Sequence, residues 1–186
     1  MIIGITGRSG AGKSYLSEAL AENLDLIHID IDKISHEVLS FEESKTFLLK
    51  EFGSEIFDNG VLNRKLLGKI VFSNKEKLDK LNRFCQIEME LKIDELIKNS
   101  QKSIILDYAL LCGLKQFALC DIKILLKADL DIRYSRVKSR ENISKEYFVS
   151  RDNSLSEFDE SAFDFVFTNI TNDETTNLIK TLKTKL

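Results

Sequence analysis

Gly7-Arg8-Ser9-Gly10-Ala11-Gly12-Lys13-Ser14 is the stretch that decides the fold. Gly7, Gly12, Lys13 and Ser14 satisfy every fixed position of the pattern Gly-x-x-x-x-Gly-Lys-[Ser/Thr]. Glycines let a chain curl with its amide N–H groups pointing inward, which makes an anion nest free of side-chain clashes. A helix starting at Lys13 presents its positive end to the same anion. Lys13 then reaches the β- and γ-phosphates of a nucleotide, and the Ser14 hydroxyl coordinates Mg²⁺. An ordinary glycine-rich turn is the competing reading. A chance match in a chain of 186 residues is about a one-in-a-hundred event at ordinary glycine usage.

The flanks agree with the loop. Ile2-Ile3-Gly4-Ile5-Thr6 is short, apolar and β-branched, as a buried strand requires. After the loop, Leu16, Ala19, Leu20 and Leu24 recur at helical spacing, with Glu18 and Glu22 on the other side. Leu26–Asp30 reads as a second strand ending in Asp30-Ile31-Asp32. From Lys33 to Ser100 the pattern is helical, punctuated at Gly53, Asn59-Gly60 and Ser73-Asn74. Its last piece carries an apolar stripe, Leu78, Leu81, Cys85, Met89, Ile93 and Leu96, which reads as core packing. Strands return at Ser103–Asp107, Ile122–Leu126 and Phe163–Phe167, and helices at Asp131–Arg140 and Thr171–Leu186. The expected fold is therefore α/β, a three-layer sandwich around a mostly parallel five-stranded sheet.

Composition narrows the partners. A net charge of −3 gives no broad electrostatic case for nucleic acid or an anionic membrane. No apolar run approaches the roughly 20 residues that span a bilayer, and Met1-Ile2-Ile3-Gly4 does not open like a signal peptide. Cys85, Cys112 and Cys120 are too scattered for a disulfide framework or a Cys/His metal site, and imply reduced thiols in a cytoplasmic protein. Small-molecule substrates are expected; the oligomeric state stays open, and a monomer fits.

Candidate catalytic groups cluster around the loop's chemistry. Transfer of a phosphoryl group needs a residue to orient or deprotonate the attacking hydroxyl, and cations for the developing charge. Asp30 and Asp32 fall at the carboxyl end of strand two, where ligands bind in open α/β sheets. Period-two alternation sends both side chains the same way if the strand continues that far. Strand-end or helix-cap aspartates are the alternative; beside a phosphate loop Asp32 is the favoured base. Asp107 ends the apolar run Ile104-Ile105-Leu106, the position of a carboxylate that helps to hold Mg²⁺. Arg133, Arg136 and Arg140 share one helical side, with no acidic residue between Asp131 and Glu141. Surface ion pairs are one reading of such a run; triphosphate oxygens, which suit the planar guanidinium fork, are the other. The glycine-free polar stretch after Arg140 is a candidate lid. His28 and His36 show no partner spacing and read as structural.

Several segments together resemble the dephospho-CoA kinase family. After the phosphate loop come Ile29-Asp30-Ile31-Asp32, then Asp58-Asn59-Gly60-Val61-Leu62-Asn63-Arg64 and Ile70-Val71-Phe72-Ser73. Asp107-Tyr108-Ala109-Leu110-Leu111, Arg136-x-x-x-Arg140-x-x-Ile143-Ser144 and Phe163–Asn169 follow in the family's order. The resemblance implies a P-loop kinase fold with core segments 1–32, 101–130 and 160–186, a helical CoA-binding region 33–100 and a lid region 131–159. It implies transfer of the ATP γ-phosphoryl group to the ribose 3′-hydroxyl of dephospho-CoA. Carried over, Asp32, Lys13 and Arg140 are catalytic. Gly7, Ser9, Gly10, Ala11, Gly12, Lys13, Ser14, Tyr15, Arg136 and Arg140 bind ATP. Asp30, Asp32, Arg64 and Asp107 lie at the acceptor, and Ser14 and Asp107 at the metal. The chain departs from the family at Cys85-Gln86, usually His-Pro, at Ala109, usually Pro, and at Cys112-Gly113, where Phe-Glu usually precedes Gly-Leu. Asn153 replaces a lid glutamine, and Arg8 and Ser9 stand where small or apolar residues are usual. Kinases for another small acceptor, such as a nucleoside monophosphate, and a nucleotide-binding module with a decayed acceptor site are the competing readings.

Overall fold

The structure, a computed structural model, describes residues 1–153 and 157–186. In chain order the elements are β1 (Ile2–Thr6), α1 (Lys13–Leu24), β2 (Ile27–Asp30), α2 (Ile31–Glu37), α3 (Glu42–Phe52), β3 (Phe57–Asp58), β4 (Val61–Leu62), α4 (Arg64–Phe72), α5 (Lys75–Asn99), β5 (Ile104–Asp107), β6 (Ile122–Lys127), α6 (Leu130–Glu141), α7 (Lys145–Asn153), β7 (Phe165–Thr168) and α8 (Asn172–Lys183). Short 3₁₀ turns join several of them. Two compact units emerge, one of residues 1–30 and 99–186, the other of residues 31–98. Residues 154–156 of the expected lid region lie outside the described residues.

The first unit holds the expected five-stranded sheet, in the order β2-β5-β1-β6-β7, with every pairing parallel. β2 and β5 both lie to one side of β1 and β6 and β7 to the other, so the chain switches direction across the sheet next to the phosphate loop. Apolar β-branched residues line one face: Ile3, Ile5, Ile105, Ile122 and Ile124 pack with Leu16 and Leu20 of α1 and Leu178 and Leu182 of α8. The i,i+4 leucine pairs put one stripe of each helix against the sheet. α8 starts on a capping box, in which the Thr171 hydroxyl accepts from the Glu174 amide and the Glu174 carboxylate accepts from the Thr171 amide.

The second unit is helical apart from one hairpin. Leu48, Phe52, Ile56, Leu67, Val71 and Leu81 form its core, and the Phe47 and Phe84 rings stack at 3.8 Å between centroids. On α5 the stripe is buried at Leu81, Met89 and Ile93. Sequence reading takes Asn59-Gly60 as punctuation and as part of a family-like stretch, without a hairpin. Instead it closes the two-residue hairpin between β3 and β4, with φ of 48° at Asn59 and 82° at Gly60. Two successive positive φ values define the turn whose twist matches a hairpin, and Asn-Gly is the pair that tolerates it.

One expectation needs revision. β2 ends at Asp30 and α2 begins at Ile31, so strand alternation does not extend to Asp32. Asp32 sits in the first turn of a helix instead, where its charge faces the positive end of the helix dipole.

Candidate active site

Close backbone passages shape the loop. At Gly7 φ is 149°, and an added Cβ would lie 2.2 Å from the Leu126 carbonyl oxygen of β6. Gly10, at φ 81°, crosses the α6 backbone so closely that a Cβ would lie 2.6 Å from the Arg133 carbonyl oxygen. Gly12 turns into α1 in the left-handed region, and no side chain caps the helix. First-turn amides have no carbonyl partner within their own helix, and the positive end of α1 suits an anion. Lys13 is the first helical residue and is largely buried, with 9% of its surface exposed, while Ser14 and Tyr15 are exposed beside it. The Tyr15 hydroxyl donates to Asn172 Oδ1 at 3.0 Å, which fixes the ring at the start of α8.

The carboxyl ends of β1, β5 and β2 stand side by side: Ile5 pairs with Asp107, and Asp107 with Asp30. Side chains of paired positions, and of positions two apart, point the same way. His28, Asp30 and Asp107 therefore share a face. Asp107 is buried, and its Oδ2 lies 3.3 Å from His28 Nε2. Sequence reading, which treats His28 as lone, misses this pair, because it exists only once β2 is known to lie against β5. The Thr6 hydroxyl donates to the Ala109 carbonyl oxygen at 3.1 Å and ties the strand end before the loop to the segment after Asp107.

The arginine helix divides its labour between the two readings, an ion pair at Arg133 and the loop at Arg136. Arg133 is buried, and its Nη1 and Nη2 each donate to the Asp152 carboxylate at 2.7 Å. Its Nε donates to the Ala128 carbonyl oxygen at 3.0 Å, and its guanidinium lies 5.6 Å from the Phe148 ring centre. The anion that this residue needs is thus Asp152, nineteen positions along, beyond the window in which a sequence partner was sought. Arg136 Nη1 donates to the Gly10 carbonyl oxygen at 3.0 Å and so touches the loop. Arg140 is mostly exposed in the last turn of α6, 3.9 Å from Glu141. The Arg133 guanidinium beside Asp152 holds that carboxyl below the usual carboxylate range, against the opposing effect of burial. A cavity of about 420 Å³ opens beside the loop, lined by Arg8, Leu126, Ala128, Arg133, Asp152 and Phe158, among others.

In the second unit Arg64 opens α4 and donates through Nη2 to the His36 carbonyl oxygen at 3.1 Å and to Ser40 Oγ at 3.0 Å. Asn63 caps the helix before it, accepting from the Leu66 amide at 3.0 Å. Burial pushes the Cys85 thiol up to about 11, although the nearby Arg64 charge acts the other way. Among the described residues no three His, Cys, Asp or Glu side chains form a metal cluster.

A strand, a glycine loop with a buried lysine, a helix without a side-chain cap and an arginine reaching the loop's carbonyl together define a P-loop kinase. The family model described as dephospho-CoA kinase matches residues 1–173, so this chain belongs to the dephospho-CoA kinase family. A dephospho-CoA kinase from Fusobacterium nucleatum is 37% identical over 150 residues, which cover 78% of this chain and 76% of that protein. Among solved structures, TT1252 from Thermus thermophilus superposes with a TM-score of 0.76 at 27% identity, covering 100% of this chain and 97% of that one. The dephospho-CoA kinase from Campylobacter jejuni matches with a TM-score of 0.69 at 22% identity, covering 99% and 98%, and so shares the fold.

Proposed function

We propose that the protein transfers the γ-phosphoryl group of ATP to the ribose 3′-hydroxyl of dephospho-CoA, releasing ADP and coenzyme A. The observation that carries this reading is the phosphate loop itself, with its glycines in positive-φ geometry, Lys13 buried at its end and Arg136 on the Gly10 carbonyl. Loop amides from Gly7 to Ser14 cradle the triphosphate, and Lys13 draws off charge as the γ-group leaves. Arg136 and Arg140 clamp the phosphates from α6, and the region 131–159 acts as the lid that excludes water. Asp32 accepts the proton of the 3′-hydroxyl as its oxygen attacks phosphorus, and the bond to the ADP oxygen breaks. Asp30 and Arg64 help to hold the acceptor.

The donor set fits Mg²⁺: one exposed hydroxyl, Ser14, and one buried carboxylate, Asp107, at a strand end. Mg²⁺ typically takes one or two protein ligands and completes its shell with phosphate oxygens and water. When bound, it neutralises charge on the β- and γ-oxygens. The bond between His28 and Asp107 fixes the carboxylate's rotamer. The cytoplasm is the proposed compartment, consistent with three free cysteines and no described helix long and apolar enough to cross a membrane.

ADP release in the presence of ATP and Mg²⁺ tests this, with dephospho-CoA, a panel of nucleoside monophosphates, or no acceptor. Turnover with dephospho-CoA alone is expected; turnover only with a nucleotide contradicts the acceptor assignment.

A further inference from the structure

Arg8 is an unusual residue for a phosphate loop, whose recognition is done by backbone amides and one lysine. Its side chain turns toward α7. Nη1 donates to the Asp152 carbonyl oxygen and lies 3.3 Å from Asp152 Oδ2, and Nη2 lies 3.2 Å from Glu157 Oε1. Glu157 is 94% exposed and contributes little. Asp152 differs: only 9% of its side chain is exposed, against 7% for its partner Arg133. Both carboxylate oxygens are held by the Arg133 fork at 2.7 Å. A bidentate fork with so little of either side chain exposed has one geometry. Arg133 is itself fixed by the Ala128 carbonyl and the Phe148 ring. Asp152 therefore meets Arg8 as an immobile acceptor, and two residues further on Arg136 holds the Gly10 carbonyl at 3.0 Å. The first half of the loop is fastened at residues 8 and 10 to the two helices that follow β6.

We infer that Asp152 is a positioning residue for nucleotide binding: braced by Arg133, it holds Arg8 and so keeps the phosphate loop in its open curl before ATP arrives. The inference rests on the reading of Gly7–Ser14 as the ATP site. Preorganisation of this kind lowers the ordering cost of binding and leaves the chemical step alone. It acts on the cradle as a whole, so ATP and ADP gain from it alike. A direct contact from Arg8 to the γ-phosphate would favour ATP only.

The test compares the intact protein with Arg8→Ala, Arg8→Lys, Asp152→Asn and the double variant Arg8→Ala/Asp152→Asn. ATP and ADP dissociation constants with Mg²⁺ come from calorimetry, beside kcat, KM and Tm. Arg8→Ala leaves the Arg133–Asp152 pair intact, so it tests the tether even if Asp152→Asn folds poorly. Arg8→Ala is expected to weaken ATP and ADP equally, by about 5–10-fold, with a larger effect on KM than on kcat. Arg8→Lys recovers part of the loss, Asp152→Asn weakens both nucleotides alike but by less than Arg8→Ala, because the Asp152 carbonyl still accepts from Arg8, and the double variant is no worse than Arg8→Ala. Loss of ATP but not ADP affinity in Arg8→Ala, with Asp152→Asn unchanged, overturns the inference in favour of a direct phosphate contact. Additive losses, or unchanged affinities in both single variants, also overturn it. If the wild type binds ATP and the variants bind equally well, the inference alone fails. A wild type that binds neither nucleotide overturns the ATP-site reading as well.

Discussion

Replacing Gly10 with Ala separates the two physical demands on the loop. The first is conformational: at φ 81° an L-residue pays about 1–2 kcal/mol of left-handed strain. The second is steric. The new Cβ would lie 2.6 Å from the Arg133 carbonyl oxygen and 2.8 Å from its Cα, both backbone atoms. Relief needs the loop to lift from α6 by about half an ångström or more, since ordinary carbon contacts begin near 3.5 Å. Together these effects cost about 2–4 kcal/mol, a fall in Tm of about 5–15 °C for a domain this size. Lifting the loop also parts the Gly10 carbonyl from Arg136, now 3.0 Å away. A displacement approaching 1 Å at a phosphoryl-transfer site lowers activity by about 10²-fold. Two controls isolate the terms. Gly60→Ala meets nothing within 4 Å but sits at φ 82°, so it carries the strain alone, about 1 kcal/mol. Gly113→Ala has open space and no positive φ, and should be neutral or slightly stabilising. Calorimetric melts of the three variants should rank Gly10 worst, Gly60 intermediate and Gly113 harmless, and in ATP titrations only Gly10→Ala should lose affinity. A Gly10→Ala protein with Tm within 2 °C of wild type and unchanged ATP affinity would refute the described passage of the loop over α6.

Other outcomes follow from single residues. Asp32→Asn should lower kcat by roughly 10²–10⁴-fold with ATP binding near normal; activity within a few-fold of wild type removes Asp32 as the base. Asp152 titrates below the ordinary carboxylate range because Arg133 hydrogen-bonds its ionised form. Its stabilisation is therefore complete above the unfolded-state pKa, about 3.9, and is lost as pH falls through the lower folded value. Denaturant melts from pH 7 down to pH 3 should show that acid loss in wild type and a shallower one in Asp152→Asn; parallel curves contradict it. Burial pushes Cys85 to about 11 and Cys120 to about 12; it raises Cys112 as well, but that thiol alone is exposed to reagent. At pH 8 iodoacetamide should modify one thiol quickly, and Cys112→Ser should abolish that fast phase; fast labelling that survives the substitution is the contrary result.

The core of the fold was legible because its signals are local. A β-branched run, a glycine loop and leucines four apart need no knowledge of the rest of the chain to be read as strand, loop and helix. The Asn59-Gly60 hairpin was equally local, yet its strands are two residues long and carry no alternation to read. Pairings across elements were not legible. His28 meets Asp107 only through the β2–β5 register, and Arg133 meets Asp152 only when α7 folds back beside α6. Three arginines on one helical side looked equivalent because helical spacing says nothing about depth. Burial sets Arg133, a structural brace, apart from the exposed Arg136 and Arg140, of which Arg136 touches the loop. Asp32 carries a related lesson, since strand periodicity fails where a strand gives way directly to a helix.

The most direct test of the central claim is the identity of the product formed from ATP, Mg²⁺ and dephospho-CoA by the purified protein. Phosphorus NMR of the quenched reaction should show one new phosphomonoester on the ribose 3′-oxygen, formed in step with ADP. No new phosphomonoester, or ATP hydrolysis to ADP and free phosphate with dephospho-CoA unchanged, would contradict the account.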